Sequence, residues 1–307
     1  MFALETPRPT AALHASNLRP MVQGGRDADV RTVCPDHTAL RYFANRGECL
    51  CTLVAVEGSY SRKVGAQLAI APDGSLAGDL ADHCLEAELA QQAKLSQADR
   101  APRIALYGRG SPMIDFRLPC GSKIQVLINP LADREAALKV VSALDDRKPA
   151  SLDLPVLDND AIAVRHYIPS LRIVAFGEGP DADSLRALAA ICGADVGILP
   201  AASSARKLDG IATDPWTAIV CLSHDHEWER TTLPWALASD AFYVGAIGGE
   251  KARLSREEML SERGVPAAQI ERLHAPVGLF GSARHPKALA LSALSEIVSI
   301  YEGLRDG

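Results

Sequence analysis

The chain has no surplus of basic residues. Its 307 residues carry 32 Lys and Arg against 38 Asp and Glu, a formal charge of −6. Non-specific nucleic-acid binding needs a cationic footprint that displaces counterions from phosphates, so no nucleic-acid partner is expected. No apolar run reaches the roughly 18 residues that cross a bilayer, so no membrane partner is expected. The opening MFALETPRPTAALHASNLRP lacks the basic start and apolar core of a secretory signal. The seven cysteines are odd in number, and no spacing among them matches a structural zinc site. These absences lead to the expectation of a reduced, cytoplasmic chain with buried or functional thiols. There is also no internal repeat and no long low-complexity tract.

What is present is ordinary globular material, 48% hydrophobic and 23% charged, at a length that suggests two domains. Residues 1–33 hold Pro7, Pro9, Pro20, Gly24 and Gly25 without a clear period and read as an N-terminal extension. Residues 34–150 read as a first domain. It opens with a short helix, HTALRYFANRG, and a buried strand, CLCTLVAV. Two strands then flank a Pro72-Asp73-Gly74 turn. The helix HCLEAELAQQAKL and the strands RIALYG, IDFRLP and KIQVLINPL follow. Residues 151–169, rich in Asp and Pro, read as a linker. Residues 170–307 alternate strands (RIVAF, DVGILP, AIVCLSH, AFYVGAIG) with helices, the pattern of a parallel sheet covered on both faces. On the last helix, Leu294, Ile297, Val298 and Tyr301 share one face and are expected to pack toward the sheet. The fold class is therefore α/β, an N-terminal α/β domain followed by a Rossmann-like parallel-sheet domain.

The second domain opens on Gly177-x-Gly179-x-x-Ala182, between a strand and a helix. The glycines suit a tight turn and Ala182 suits close helix–strand packing. A dinucleotide site usually adds an acid about 20 residues on, at the end of the second strand. Here AASSAR follows DVGILP, and Glu178 stands where phosphate oxygens would approach. A like-charge pair about 6 Å apart costs roughly 3 kcal/mol at an effective dielectric near 20. Asp181 and Asp183 can instead stabilise the helix N-terminus by roughly 0.3–1 kcal/mol each. The turn thus points to the fold more than to NAD(P). NADP stays open through Arg206, which could meet a 2′-phosphate.

Three other places carry chemistry. Cys84 lies at a predicted helix start, where a thiol pKa falls, and Cys120 lies just before a glycine and a strand. Alone, each is more often an inert buried small residue. His224, Asp225 and His226 follow a predicted parallel strand, at the end where open α/β sheets bind ligands. They suit a metal, or one backbone-bonded histidine beside a solvated one.

Taken in order, several segments resemble the xanthine dehydrogenase accessory family, XdhC/CoxI. GSYSRKVGA resembles the family's G-S-x-P-R-x-x-G-A. GDLADHCLE resembles G-x-x-x-G-G-C-x-E, and CGSKIQV resembles C-G-G-x-[IL]-x-V. LSHDHEWE, YVGAIGGEKAR, RLHAPVGLFGSARHP and ALALSALSEIV follow in the family's order, so the resemblance spans about residues 36–300. The chain departs from it at Ser61 for proline, at Asp82 and His83 for two glycines, and at Glu178 and Pro180 in the G-A-G-H turn.

The resemblance implies a chaperone that binds the molybdenum cofactor, protects it while its terminal sulfur is installed, and passes it on. The implied partners are an apo molybdoenzyme of the xanthine dehydrogenase type and a cysteine desulfurase, with a homodimer as the working form. It implies roles for Arg62, Lys63, Gly65, Cys84, Glu86, Cys120, Gly121, His224 and Asp225. A thiolate at Cys84 or Cys120 suits molybdenum or sulfur, both soft. Arg62 and Lys63 suit a phosphate. The Gly58, Gly65 and Gly121 backbone suits close approach of a pterin, and His224 and Asp225 would close the cleft from the second domain. The alternatives are an NAD(P)-dependent oxidoreductase, a metal-dependent hydrolase on the histidines, and an interaction module that has lost its ligand.

Overall fold

The computed structural model describes residues 35–80, 85–111, 121–157, 161–200, 208, 210–223, 226–281 and 283–305, with Pro35 and His226 given as backbone only. A short 3-10 turn (Pro35–His37) leads into α1 (Thr38–Arg46) and β1 (Cys49–Glu57). β2 (Gln67–Ile70) and β3 (Leu76–Gly78) flank the expected turn, where Asp73 accepts the Ser75 N–H at 2.9 Å. α2 (Glu86–Asp99), β4 (Arg103–Gly108) and β5 (Lys123–Asn129) complete a sheet of order β3-β2-β1-β5-β4, antiparallel throughout.

The alternation along β1 builds two cores. Cys49, Cys51 and Leu53 face Leu85, Leu89 and Ala93 around α2. Leu50 points the other way, into a cluster with Leu40, Phe43, Val140 and Tyr167. That second cluster needs elements the sequence reading did not anticipate. α3 (Arg134–Asp145) is capped by Asp133, whose side chain accepts from the Glu135 and Ala136 N–H groups. The stretch read as a linker carries β6 (Ala150–Asp153) and β7 (Val164–Tyr167), paired antiparallel. The strand expected at IDFRLP lies outside the described residues.

The second sheet is parallel as expected, with the four strands read in the sequence and a fifth, β12, that was not. β8 (Arg172–Phe176), β9 (Asp195–Leu199), β10 (Thr217–Cys221), β11 (Tyr243–Ala246) and β12 (Leu273–His274) are all parallel, in the order β12-β11-β10-β8-β9. Strand order reverses between β8 and β10, which makes their C-terminal ends the topological switch point. One face packs on α4 (Pro180–Ile191) and α8 (Pro286–Arg305). The other packs on α5 (His226–Ala238) and α6 (Glu250–Glu262), with the single turn α7 (Ala267–Ile270) beside it. Leu294, Ile297 and Tyr301 of α8 are buried as expected, whereas Leu291 faces solvent.

The direction of α8 matters for the site. Near its start, Ser292 bonds Phe280 in the loop beyond β12, at the C-terminal edge of the parallel sheet. Near its end, the Tyr301 hydroxyl donates to the Pro169 carbonyl at 2.7 Å, just before β8. α8 therefore ends at the N-terminal edge of the sheet. The antiparallel sheet is fastened to that same edge. Arg147 donates to both Asp214 oxygens, at 2.7 and 2.9 Å, and to the Ser170 carbonyl at 2.5 Å.

Candidate functional site

One edge of the antiparallel sheet gathers the sequence motifs. β1 ends at Glu57 opposite Lys123, the first residue of β5, so Gly58 and Ser122 lie side by side. β3 ends at Gly78 on the same edge. From there Asp79 pairs with Arg62, and the Tyr60 hydroxyl donates to the Leu80 carbonyl at 3.2 Å. Glu86 is buried in the first turn of α2, its carboxylate accepting the Leu85 N–H at 3.1 Å. Cys84 and Cys120 lie outside the described residues. Gly58 lies beside Ser122, the residue after Gly121, and Gly58, Arg62 and Lys63 line one cavity.

The 58–65 loop forms one wall of a cleft whose other wall is β7 and the last turn of α8. It comprises two adjoining cavities of about 400 and 830 Å³, both lined by Asp36, Arg62, Lys63, Arg165 and Arg305. Lys63 is 58% exposed and lies 3.6 Å from Glu302. Arg165 is only 13% exposed: it donates to the Gly65 carbonyl at 2.9 Å and stacks over the Tyr167 ring at 4.7 Å. Gly65, with φ +94°, shows why a glycine is needed there. A Cβ would come within 2.7 Å of the Arg165 side chain. The close approach at Gly65 is thus to the chain's own arginine. Gly121 has open space on its Cβ side.

Asp36 closes the inner end of the cleft. One Arg165 nitrogen donates to both its oxygens, at 2.8 and 2.7 Å, and Arg305 pairs with it at 2.6 Å. The neighbouring His37 ring is buried and bonds the Ile168 carbonyl at 2.9 Å. Burial pushes its pKa down to about 4, against the raising influence of Asp36, so the ring is neutral at pH 7.

The Gly177 turn lies at the far edge of the parallel sheet, and its first glycine is packed against the protein itself. A Cβ on Gly177, at φ +151°, would meet Leu222 of the strand next door at 2.9 Å. The Gly177 N–H donates to the Leu199 carbonyl at 3.0 Å, and Ala182 is buried in the core. Gly179, with φ +82°, is the N-cap of α4, and Glu178 projects into solvent. The turn keeps the shape of a nucleotide site: the Gly177 side is packed against Leu222, and the Gly179 side is open.

His224 and Asp225 also lie outside the described residues. The strand leading to them ends at Cys221, in register with Phe176 and Ala246 at the C-terminal edge. The cation cleft sits at the opposite edge, and β10 alone separates the two by about 13 Å. Just past the end of β11, at Ile247, lies a buried ion pair. Arg256 donates to Glu229 at 2.8 and 2.6 Å and to the Ile247 carbonyl at 2.6 Å, with both side chains 2% exposed. Burial holds the nearby Cys221 thiol up at about 12, and Glu229 adds to the effect. Cys51 is likewise held well above the usual thiol range, first by its hydrogen bond with Cys49 and then by burial. These thiols are core residues. No group of three or more His, Cys, Asp or Glu suited to a metal occurs among the described residues.

Comparison with known proteins agrees with this layout. Residues 44–108 match the model of the XdhC and CoxI family, and residues 173–297 match that of the XdhC Rossmann domain. The molybdenum cofactor insertion chaperone PaoD of Escherichia coli (strain K12) is 32% identical, over 86% of this chain and 89% of PaoD. The chain belongs to the XdhC and CoxI family. A probable xanthine dehydrogenase subunit of Bacillus subtilis (strain 168) is 24% identical, over 81% of this chain and 92% of that one. The crystal structure of a xanthine dehydrogenase from Bacillus halodurans shares the fold. Its TM-score is 0.69 at 21% identity, over 88% of this chain and 96% of that one.

Within this XdhC-type fold, Asp36, Arg165 and Arg305 are the cleft residues that sequence reasoning missed. They stand 129 and 269 positions apart, and no local motif links them. Arg165 sits in the stretch read as a linker, and Arg305 in the last helical turn. Only the tertiary fold brings them together. No helix among the described residues is long and apolar enough to cross a membrane.

Proposed function

We propose that this chain binds the molybdenum cofactor as cargo and delivers it to an apo molybdoenzyme of the xanthine dehydrogenase type. The observation that carries this reading is the 32% identity to a molybdenum cofactor insertion chaperone along most of both chains. The cleft supports it. Its larger cavity, about 830 Å³, falls in the usual range for a small-molecule site, and cations line it beside apolar side chains. Arg62 and Lys63 serve a phosphate, and the Gly58, Gly65 and Gly121 segments frame the pterin. Cys84 and Cys120 hold or guard the molybdenum end, and Glu86 anchors the turn that carries Cys84. A cysteine desulfurase supplies sulfur while the cargo is held.

The working form is a homodimer, and His224 and Asp225 close the cargo site. The exposed Glu178, which stands where phosphate oxygens would approach, speaks against the NAD(P) alternative.

Co-expression with the cofactor pathway tests the reading. The wild type copurifies pterin and raises the activity of its client. A wild type that does neither overturns it. Full retention of molybdenum by a Cys84→Ala/Cys120→Ala variant would remove the thiols from the site while leaving the chaperone reading in place.

A further inference from the structure

We propose that Arg165 and Arg305 form an anion receptor for a heterocyclic phosphomonoester, and that Asp36 occupies it as an internal stand-in for the phosphate. This deepens the cofactor reading, on which it rests for the biological ligand, and can fail separately from it.

Four cations, Arg62, Lys63, Arg165 and Arg305, and three carboxylates, Asp36, Asp79 and Glu302, line the smaller cavity. The cleft is therefore locally positive in a chain of charge −6. Arg165 is set before any ligand arrives. The Gly65 and His166 carbonyls and the Tyr167 ring fix its guanidinium, so little side-chain freedom remains to be lost on binding. Its outward nitrogen and Arg305 converge on one carboxylate at 2.6–2.8 Å. Two guanidiniums on one carboxylate are an arrangement that a phosphate, with more charge and more acceptor oxygens, satisfies better. The adjoining cavity supplies a place for the rest of the ligand. Val56, Ile162, Val164, Ile168 and Leu304 give it an apolar wall suited to a flat ring system.

A purely structural clasp explains the same contacts, and the two accounts differ in sign. If Asp36 only fastens the last turn of α8, removing its charge weakens everything nearby. If it is a stand-in, removing its charge weakens the fastening and strengthens anion binding.

The experiment titrates the cofactor-free full chain with riboflavin 5′-phosphate and with riboflavin at low ionic strength, following flavin fluorescence. Thermal unfolding of each variant is measured alongside. We expect the phosphorylated flavin to bind about tenfold tighter than riboflavin. Asp36→Asn tightens the phosphorylated flavin about fivefold although it lowers Tm, and Arg165→Gln and Arg305→Gln each loosen it about tenfold. Riboflavin binding stays the same in all three. Should Arg165→Gln fail to fold, Asp36→Asn and Arg305→Gln carry the test, because Arg305 lies on a terminal helical turn. The proposal is overturned if Asp36→Asn weakens binding, if the two flavins bind alike, or if neither binds. If pterin still copurifies in those cases, the chaperone reading survives alone. If the flavin results hold but no pterin copurifies, the receptor stands and the cofactor reading falls.

Discussion

The two sheets each end in glycine-bearing turns, and the turns differ in what occupies them. After β8, the space at Gly177 is taken by Leu222, the backbone is bonded to Leu199, and Glu178 faces water. Below the neighbouring strand ends lies a buried ion pair. After β1, the turn opens onto a cleft with cations on its rim and apolar side chains on its wall. A glycine in a turn reports close approach by something. At Gly177 that something is the next strand, and at Gly65 it is Arg165. The teaching is that a glycine fingerprint places a fold element, while the neighbour that fills the missing side chain decides whether a ligand can use it.

The contrast breaks most visibly at the buried pair. Arg256→Met or Glu229→Leu alone leaves a buried charge uncompensated and should cost about 3–5 kcal/mol in urea unfolding, whereas the double variant stays near the wild type. Arg256 Nη1 already lacks a hydrogen-bond partner among the described residues, which lowers the cost of replacing both. A double variant as unstable as either single one would mean that this edge needs the charges for more than packing.

His37 separates the two edges by pH. Its folded pKa, about 4, lies below the unfolded value near 6.5. Between those values the unfolded chain binds the extra proton, so stability falls as pH drops through this window, and the His37 contribution is fully lost below it. The expected loss is roughly 3 kcal/mol. The ring is faced by Asp36, Arg41 and Arg305, by Tyr167 edge-on and by the Ile168 carbonyl. Hydrogen exchange at pH 5 should therefore quicken in α1 and β7 before it does in β10 and β11. His37→Gln should flatten the pH profile.

The smallest effects belong to the Gly177 turn. Gly177→Ala must displace Leu222 from a backbone that disfavours a side chain, and should cost about 2 kcal/mol. Glu178→Ala should change stability by less than about 0.5 kcal/mol. Neither variant should acquire saturable NADH or NADPH binding at millimolar cofactor. Saturable binding by the wild type would instead restore the oxidoreductase alternative.

Four strands of the parallel sheet were legible because each is a short apolar run, and β8, β10 and β11 are each followed by a helix; the two-residue β12 carries no such signal. The first domain was legible as far as local signals reached. α3 went unread although Asp133 before REAALKVVSAL is a capping signal. The β6–β7 pair went unread because Asp and Pro dominate its surroundings, and its strands find their partners only across a loop. For the site, motif order pointed to the 58–65, 78–86 and 120–126 segments. It could not reveal that α8 ends beside them, which needs the direction of a helix packed on a sheet.

The central claim is that the β1-end cleft, and not the Gly177 turn, holds the cargo. Its most direct test is the pterin content per protomer after co-expression, read as fluorescence of the oxidised pterin. Arg62→Gln/Lys63→Gln should lose about tenfold, and Glu178→Ala should match the wild type. Undiminished pterin in the double variant, or its loss on Glu178→Ala, would contradict the account.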